Sequence, residues 1–199
     1  MVDPIKSLVF EWLITNGSFP GFSDRLDATK PQWKTVAEDM IVYRGQGHSK
    51  KGIPSLGPPN VLKGDMRSVI STSLHRESIS EYAGAECCIF QITLKPGVKY
   101  LDVESVFTAE DNYEELAEDV RKKTFPDSWI KPKTALRVLV AFFLKNLKKE
   151  HEIMVAGGGS FSDPVSQGGV PEVFTTSYSP KIAGRRRLRR KTRRSKYSR

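Results

Sequence analysis

Cysteine is nearly missing from this chain. The two present, Cys87 and Cys88, are neighbours, so they can build neither a disulfide framework nor a tetrahedral zinc site. A reducing, intracellular compartment is the expectation. The three histidines, His48, His75 and His151, lie far apart without ligand spacing, and no metal is expected. No run of eighteen apolar residues occurs, which excludes a membrane-spanning helix. The opening Met1-Val2-Asp3-Pro4-Ile5-Lys6 lacks the basic-then-apolar layout of a secretory leader, so none is expected. Internal repeats are absent too, which argues against a solenoid. Acidic residues are missing from one place in particular, the last fifteen positions.

That last absence changes how the charge is read. The whole chain carries a net charge of +9, from 32 basic and 23 acidic residues. Residues 185–199 alone hold eight Arg and two Lys; without those ten, 22 basic residues face 23 acidic ones, a net charge of −1. The chain is a near-neutral domain, residues 1–183, followed by a cationic tail, residues 184–199. The tail has one Leu and one Tyr, cannot bury apolar surface and is expected to be disordered when free. Ten clustered cations suit a nucleic-acid backbone, a nuclear address or an anionic surface. A nuclear or nucleic-acid-associated location, a virion included, follows as an expectation.

Over the whole chain, 38% hydrophobic residues leave enough apolar surface for one core. Ile5, Leu8, Val9, Trp12 and Leu13 recur at helical spacing over 5–14. Met40 to Tyr43 is a short β-prone run, followed by a Gly-, Pro- and Lys-rich loop from Gly45 to Gly64. Arg67 to Ser73 reads as a strand, and 76–84 as a short helix closed by Gly84. Cys87–Leu94 and Val98–Val103, joined by Lys95-Pro96-Gly97, read as a β-hairpin. Residues 111–124 and 134–149 carry helical periodicity. Glu152–Ala156 and Val173–Tyr178 return to strand character, with Gly157-Gly158-Gly159 as a break after the first. Helices interrupting strands without βαβ alternation indicate an α+β fold. Six acids between 110 and 119 read as a solvated helix face, with intramolecular capture of the basic tail as the alternative.

Three short segments hold residues of chemical interest. Tyr43-Arg44-Gly45 sets a guanidinium at a strand end beside a residue that admits close approach. Ser71-Thr72-Ser73 puts two hydroxyls on one strand face. Glu150-His151-Glu152, read as the start of a strand, throws two carboxylates to one side and His151 to the other. Singly, Arg44 has an ordinary explanation in a surface salt bridge and Ser71-Thr72-Ser73 in an edge strand, whereas two like charges so close make a structural role less natural for Glu150 and Glu152. Gly45-Gln46-Gly47 lacks the third glycine and following helix of a dinucleotide fingerprint.

In this order and context the segments resemble the mono-ADP-ribosyltransferases, in their Arg–Ser–Glu branch of toxins and arginine-specific enzymes. The matching stretches are Ile41–Gly45, Val69–Ser73, Phe90–Gly97 and Glu150–Val155 with Phe161 beyond, which together frame residues 40 to about 178. A proline that often follows the last of these in the family is replaced by Ala156 and three glycines.

The resemblance implies a split β-sheet core with flanking helices, NAD as substrate and a protein acceptor with a reactive arginine. It implies that Glu152 stabilises the developing ribosyl cation and that Arg44 binds the diphosphate. Ser71 would hydrogen-bond Glu152, and Gly45 would lie against the nicotinamide carboxamide. Thr72 and Ser73 complete the cofactor-binding strand, and Tyr82 either packs on nicotinamide or belongs to the core. Glu150 would orient an arginine acceptor. A monomer is expected. Two other readings stay open: an inactive, basic-tailed nucleic-acid-binding or virion protein on the same fold, and a transferase acting on nucleic acid.

Overall fold

A computed structural model describes residues 3–15, 25–26, 32–46, 62, 64–66, 69–80, 88–124, 132–170 and 172–181. The helices are α1 (Pro4–Thr15), α2 (Arg76–Ser80), α3 (Val103–Val106), α4 (Tyr113–Thr124) and α5 (Pro132–Glu150). The strands are β1 (Lys34–Thr35), β2 (Met40–Gln46), β3 (Gly64–Met66), β4 (Ile70–Ser73) and β5 (Cys88–Leu94) in the first half. They continue with β6 (Lys99–Asp102), β7 (Glu152–Val155), β8 (Gly159–Phe161), β9 (Val165–Ser166) and β10 (Glu172–Pro180). This is an α+β fold.

One continuous path of strands runs β1-β6-β7-β4-β2-β5-β10-β8-β3, with β9 beside β10. Among the described residues every pairing is antiparallel except β5 with β10, which runs parallel from Glu172 opposite Cys88 to Tyr178 opposite Leu94. The path is pinched in the middle. β2 and β5 stay in register from Met40 opposite Leu94 to Gln46 opposite Cys88, whereas β2 meets β4 only at Tyr43 opposite Ser73. The sheet is therefore split at that seam into two halves.

The expected hairpin over 87–103 does not form. β5 is flanked by β2 and β10, so neither of its edges is open to β6, which pairs with β1 and β7 in the other half. The turn between them satisfies its main chain elsewhere. Lys95 N donates to Tyr178 O at 2.9 Å, and Gly97 N donates to Val36 O at 2.9 Å. Gly97 adopts a φ of 90°, open to glycine at little cost. Lys95-Pro96-Gly97 is thus a crossover between the halves.

Two cores follow from strand alternation. One joins the halves face to face through Val42, Ile70, Phe90, Ile92, Ile153 and Val155. The other lies beneath the helices, where Met154 and Leu101 meet Phe10 of α1, Val120 of α4 and Phe143 of α5. β7 is buried along its whole length because each of its faces is covered by one core.

α1 begins where the local chemistry dictates. Asp3 accepts a bond from Ile5 N at 2.9 Å and Pro4 takes the first helical position, where a missing N–H costs nothing. The helix is then tied down from two sides. Lys6 pairs with Asp111, Ser7 Oγ donates to Asp119 in α4, and Asn146 Nδ2 of α5 donates to Leu13 O at 3.4 Å. Phe10 stacks on Phe143 with ring centroids 4.3 Å apart.

Other boundaries shift for identifiable reasons. The strand expected to reach Val103 ends at Asp102, whose Oδ1 caps α3 by accepting from Ser105 N at 3.3 Å. Gly159, expected within a break, opens β8, because Tyr178 closes over it: the phenol accepts from Gly159 N at 2.8 Å and donates to Ala156 O at 2.9 Å. In the acidic stretch, Asp111 pairs with Lys6, Glu118 with Arg121 and Lys122, and Asp119 with Lys123. The loop expected over 45–64 and the tail at 184–199 lie largely or wholly outside the described residues.

Candidate active site

Three strands that are distant in sequence become neighbours at the seam. β2 carries Arg44, β4 carries Ser71, Thr72 and Ser73, and β7 opens with Glu152. Register sets Tyr43 opposite Ser73 and Ser73 opposite Glu152, one row across three strands. Directly paired residues share a face. Ser71, two positions from Ser73, is on that face as well, opposite Met154. Thr72 turns to the other side, where its hydroxyl donates to Ile153 O at 2.7 Å.

Alternation puts Arg44 on the face of Val42, opposite to Tyr43. The guanidinium nevertheless reaches the seam, where Nη1 donates to Ser71 O at 2.6 Å. Its Nε is buried and has no hydrogen-bond partner among the described residues. Burial draws the Arg44 pKa down from its ordinary value, and the Glu152 carboxylate opposes the shift. The two side chains therefore interact electrostatically across the seam. Gly45 pairs with Ile89 next to Arg44 and is half-buried.

Glu152 is only 5% exposed. A carboxylate taken from water needs donors. One comes from an unexpected element: Trp12 Nε1 of α1 donates to Glu152 Oε1 at 2.8 Å. Ser71 meanwhile presents its main-chain carbonyl to Arg44, and Ser73, directly across from Glu152, accepts from His75 N at 3.1 Å. Trp12 had registered in the sequence only as part of an apolar helix face. A half-buried indole N–H needs an acceptor, but no local signal tells which one when it is 140 residues away.

The segment Glu150-His151-Glu152 is not the start of a strand. α5 extends through Glu150, His151 takes a φ of 42°, and β7 begins at Glu152. The rule of two that put Glu150 and Glu152 on one face does not apply across a helix end. His151 is the only non-glycine with positive φ among the described residues, and it stands where a helix commonly stops in the left-handed region. Its neighbours hold it there. Leu74 N donates to His151 O at 3.2 Å, Nδ1 lies 3.4 Å from Glu104 Oε2, and the ring packs 4.5 Å from that of His75. Two histidines without ligand spacing are thus brought together by the fold. No group of three side chains suited to a metal ion occurs among the described residues. Tyr82 lies outside them.

What the seam offers chemically is a buried carboxylate with a fixed orientation, an arginine with an unfilled donor, and a serine strand holding the two together. Such a set can stabilise a positive charge at one point and an anion at another. No protein-family model matches the chain, and no curated protein does. Solved structures similar to it include the C3 exoenzyme of Clostridium limosum, at 14% identity and a TM-score of 0.46, over 89% of this chain and 86% of that one. An ADP-ribosyltransferase from Clostridium botulinum has 13% identity and a TM-score of 0.45, over 89% and 87%. An ADP-ribosylating toxin of a binary enterotoxin of C. perfringens, crystallised with NADH, has 12% identity and a TM-score of 0.42. The last comparison covers 86% of this chain but 40% of the toxin, so this chain spans less than half of that protein's length.

Proposed function

We propose that the chain is a mono-ADP-ribosyltransferase that cleaves the nicotinamide–ribose bond of NAD and transfers ADP-ribose to a protein acceptor, an arginine side chain. The observation that carries this reading is the convergence of Arg44, the Ser71–Ser73 strand and Glu152 on three adjoining strands. Those are the residues on which the resemblance to that family rests.

The chemistry suits the side chains. Breaking the glycosidic bond sends its electron pair to nicotinamide and leaves positive charge on the ribose. A carboxylate already oriented and already stripped of water stabilises that charge without reorganising. Glu152 is the candidate. Forked donors match the oxygens of a diphosphate, and a guanidinium supplies them where an ammonium offers a point charge. The unfilled Nε of Arg44 fits such an anion. Through its carbonyl Ser71 also holds Arg44, its hydroxyl is the candidate to meet Glu152, and Gly45 leaves room for the ring that departs. The acceptor nitrogen forms the new bond to the ribose carbon and gives up its proton, and Glu150 at the end of α5 is the candidate to receive it.

The test is incubation of the protein with NAD labelled in the adenylate and with a cell lysate, followed by mass spectrometry of the modified residue. Label in protein, with ADP-ribose on arginine, is the expected result. Label on nucleic acid instead would leave the transferase and change its acceptor; no nicotinamide release at all would remove the enzyme.

A further inference from the structure

Trp12 does more than pack α1, because its indole is the donor that meets the buried carboxylate at the seam. The contact is long-range, 2.8 Å in length, and joins the first helix to the first residue of β7. An indole N–H can only donate, so the bond engages one carboxylate oxygen and restrains the orientation of the group. It is also uncharged. Unlike an arginine or lysine in the same place, it orients the carboxylate without neutralising it. The donor is delivered by a rigid element: α1 is clamped through Lys6 and Asp111, through Ser7 and Asp119, through Asn146 and Leu13, and by the Phe10–Phe143 stack. Four ties on one short helix leave little freedom for the indole it carries.

We infer that Trp12 is a positioning residue for Glu152, holding the carboxylate in its productive orientation from a helix outside the sheet. The inference rests on the transferase reading above and assigns a further residue to it. A misplacement of about 1 Å at a reacting group costs roughly a hundredfold in rate. Loss of the donor is therefore expected to lower kcat for NAD hydrolysis by about ten- to a hundredfold and to leave KM for NAD within about twofold.

Two measurements test this separately. In the first, the three indole N–H signals are followed by NMR in protein labelled at tryptophan, without NAD. The Trp12 signal, assigned by its loss in Trp12→Phe, is expected to move when Glu152 is changed to Ala, which removes the acceptor. A signal that stays in place overturns the contact, whatever the activity. In the second, kcat and KM are compared for wild type, Trp12→Phe and Trp12→His at pH 8. Neutral histidine keeps a ring N–H at the position corresponding to the indole nitrogen. Loss of kcat in the Phe variant with partial recovery in the His variant supports positioning. Equal kcat in wild type and Trp12→Phe, or a loss that the His variant shares in full, reduces Trp12 to packing. A wild-type protein without NAD turnover overturns the enzyme reading and with it the purpose of the contact, while the NMR shift still reports whether the contact exists.

Discussion

Arg44 and Glu152 sit on opposite faces of β2 and β7, the two strands that flank β4, and the Glu152 charge still raises the Arg44 pKa against the lowering by burial. Changing Glu152 to Gln keeps the shape and keeps an oxygen for the Trp12 N–H, so the fold is expected to stay intact. What disappears is the charge proposed to face the ribosyl cation. The expected outcome is a fall in NAD turnover of about a hundredfold or more, with an unchanged far-UV spectrum; turnover near the wild-type rate would show that Glu152 does not carry the chemistry. Arg44→Lys is a different kind of change. It retains a positive charge but loses the planar fork that spans Ser71 O and a free donor. A rise in KM for NAD of about tenfold is expected, reflecting one charge-assisted hydrogen bond, with kcat affected less. Equal KM in both proteins would take Arg44 out of the binding site.

At the scale of elements, the position of α1 depends on polar ties at its first turns. Asp111 is the most informative of these. Burial pushes its pKa up, but the hydrogen bond from Lys6, the one from Thr108 N at 2.7 Å and the Lys6 charge outweigh burial and hold it below the ordinary value. A carboxylate with a depressed folded-state pKa adds stability above its unfolded value, about 3.9, and loses it as the pH falls through the folded value. Asp111→Asn is therefore expected to lower Tm by about 2–4 °C at pH 7, the shift that roughly 1 kcal/mol produces in a chain of this size. The gap between the variant and the wild type should close on acidification below pH 4 or so. Melting curves at several pH values decide it: a gap that is constant with pH would mean that the Lys6 pair does not stabilise the helix.

At the scale of the whole molecule, the charge is divided between residues 1–184, with a net charge of −1, and the ten cations of residues 185–199. A chain ending at Ala183 is expected to keep its Tm within about 1 °C, since sixteen residues with one Leu and one Tyr have little to bury. NAD turnover should persist, because Arg44, Glu152 and Trp12 all lie outside the removed segment. Binding to DNA or RNA should be lost, and in the full chain it should weaken steeply between low and physiological salt. The acids of 110–119 bear on this outcome. Asp111, Glu118 and Asp119 already have basic partners in the domain, Lys6, Arg121, Lys122 and Lys123. A shortened protein that melts several degrees lower would show that those acids also hold the tail.

Helical and strand periodicities are properties of neighbouring residues, which is why α1, α2, α4, α5, β2, β4, β5, β7 and β10 were legible before any coordinates. The residue types at the seam were legible for the same reason: Arg44, Ser71 to Ser73 and Glu152 each stand out in their own short segment. Which strands would pair was not legible. The Cys87–Val103 stretch has every local mark of a hairpin, and only competition by β2 and β10 for both edges of β5 sends β6 to the other half of the sheet. Nor was it visible that Glu150 ends a helix, because the turn at His151 is held by Leu74, His75 and Glu104 from elsewhere in the fold. The serine strand offered hydroxyls, and tertiary structure also used one of its carbonyls, that of Ser71, for Arg44. Trp12 is the clearest case. Sequence determined that it lies on the apolar face of a helix; only the packing of that helix against the sheet decided that its one polar atom would meet Glu152, since a hydrogen bond across 140 residues depends on where both elements are buried and leaves no trace in the order of either.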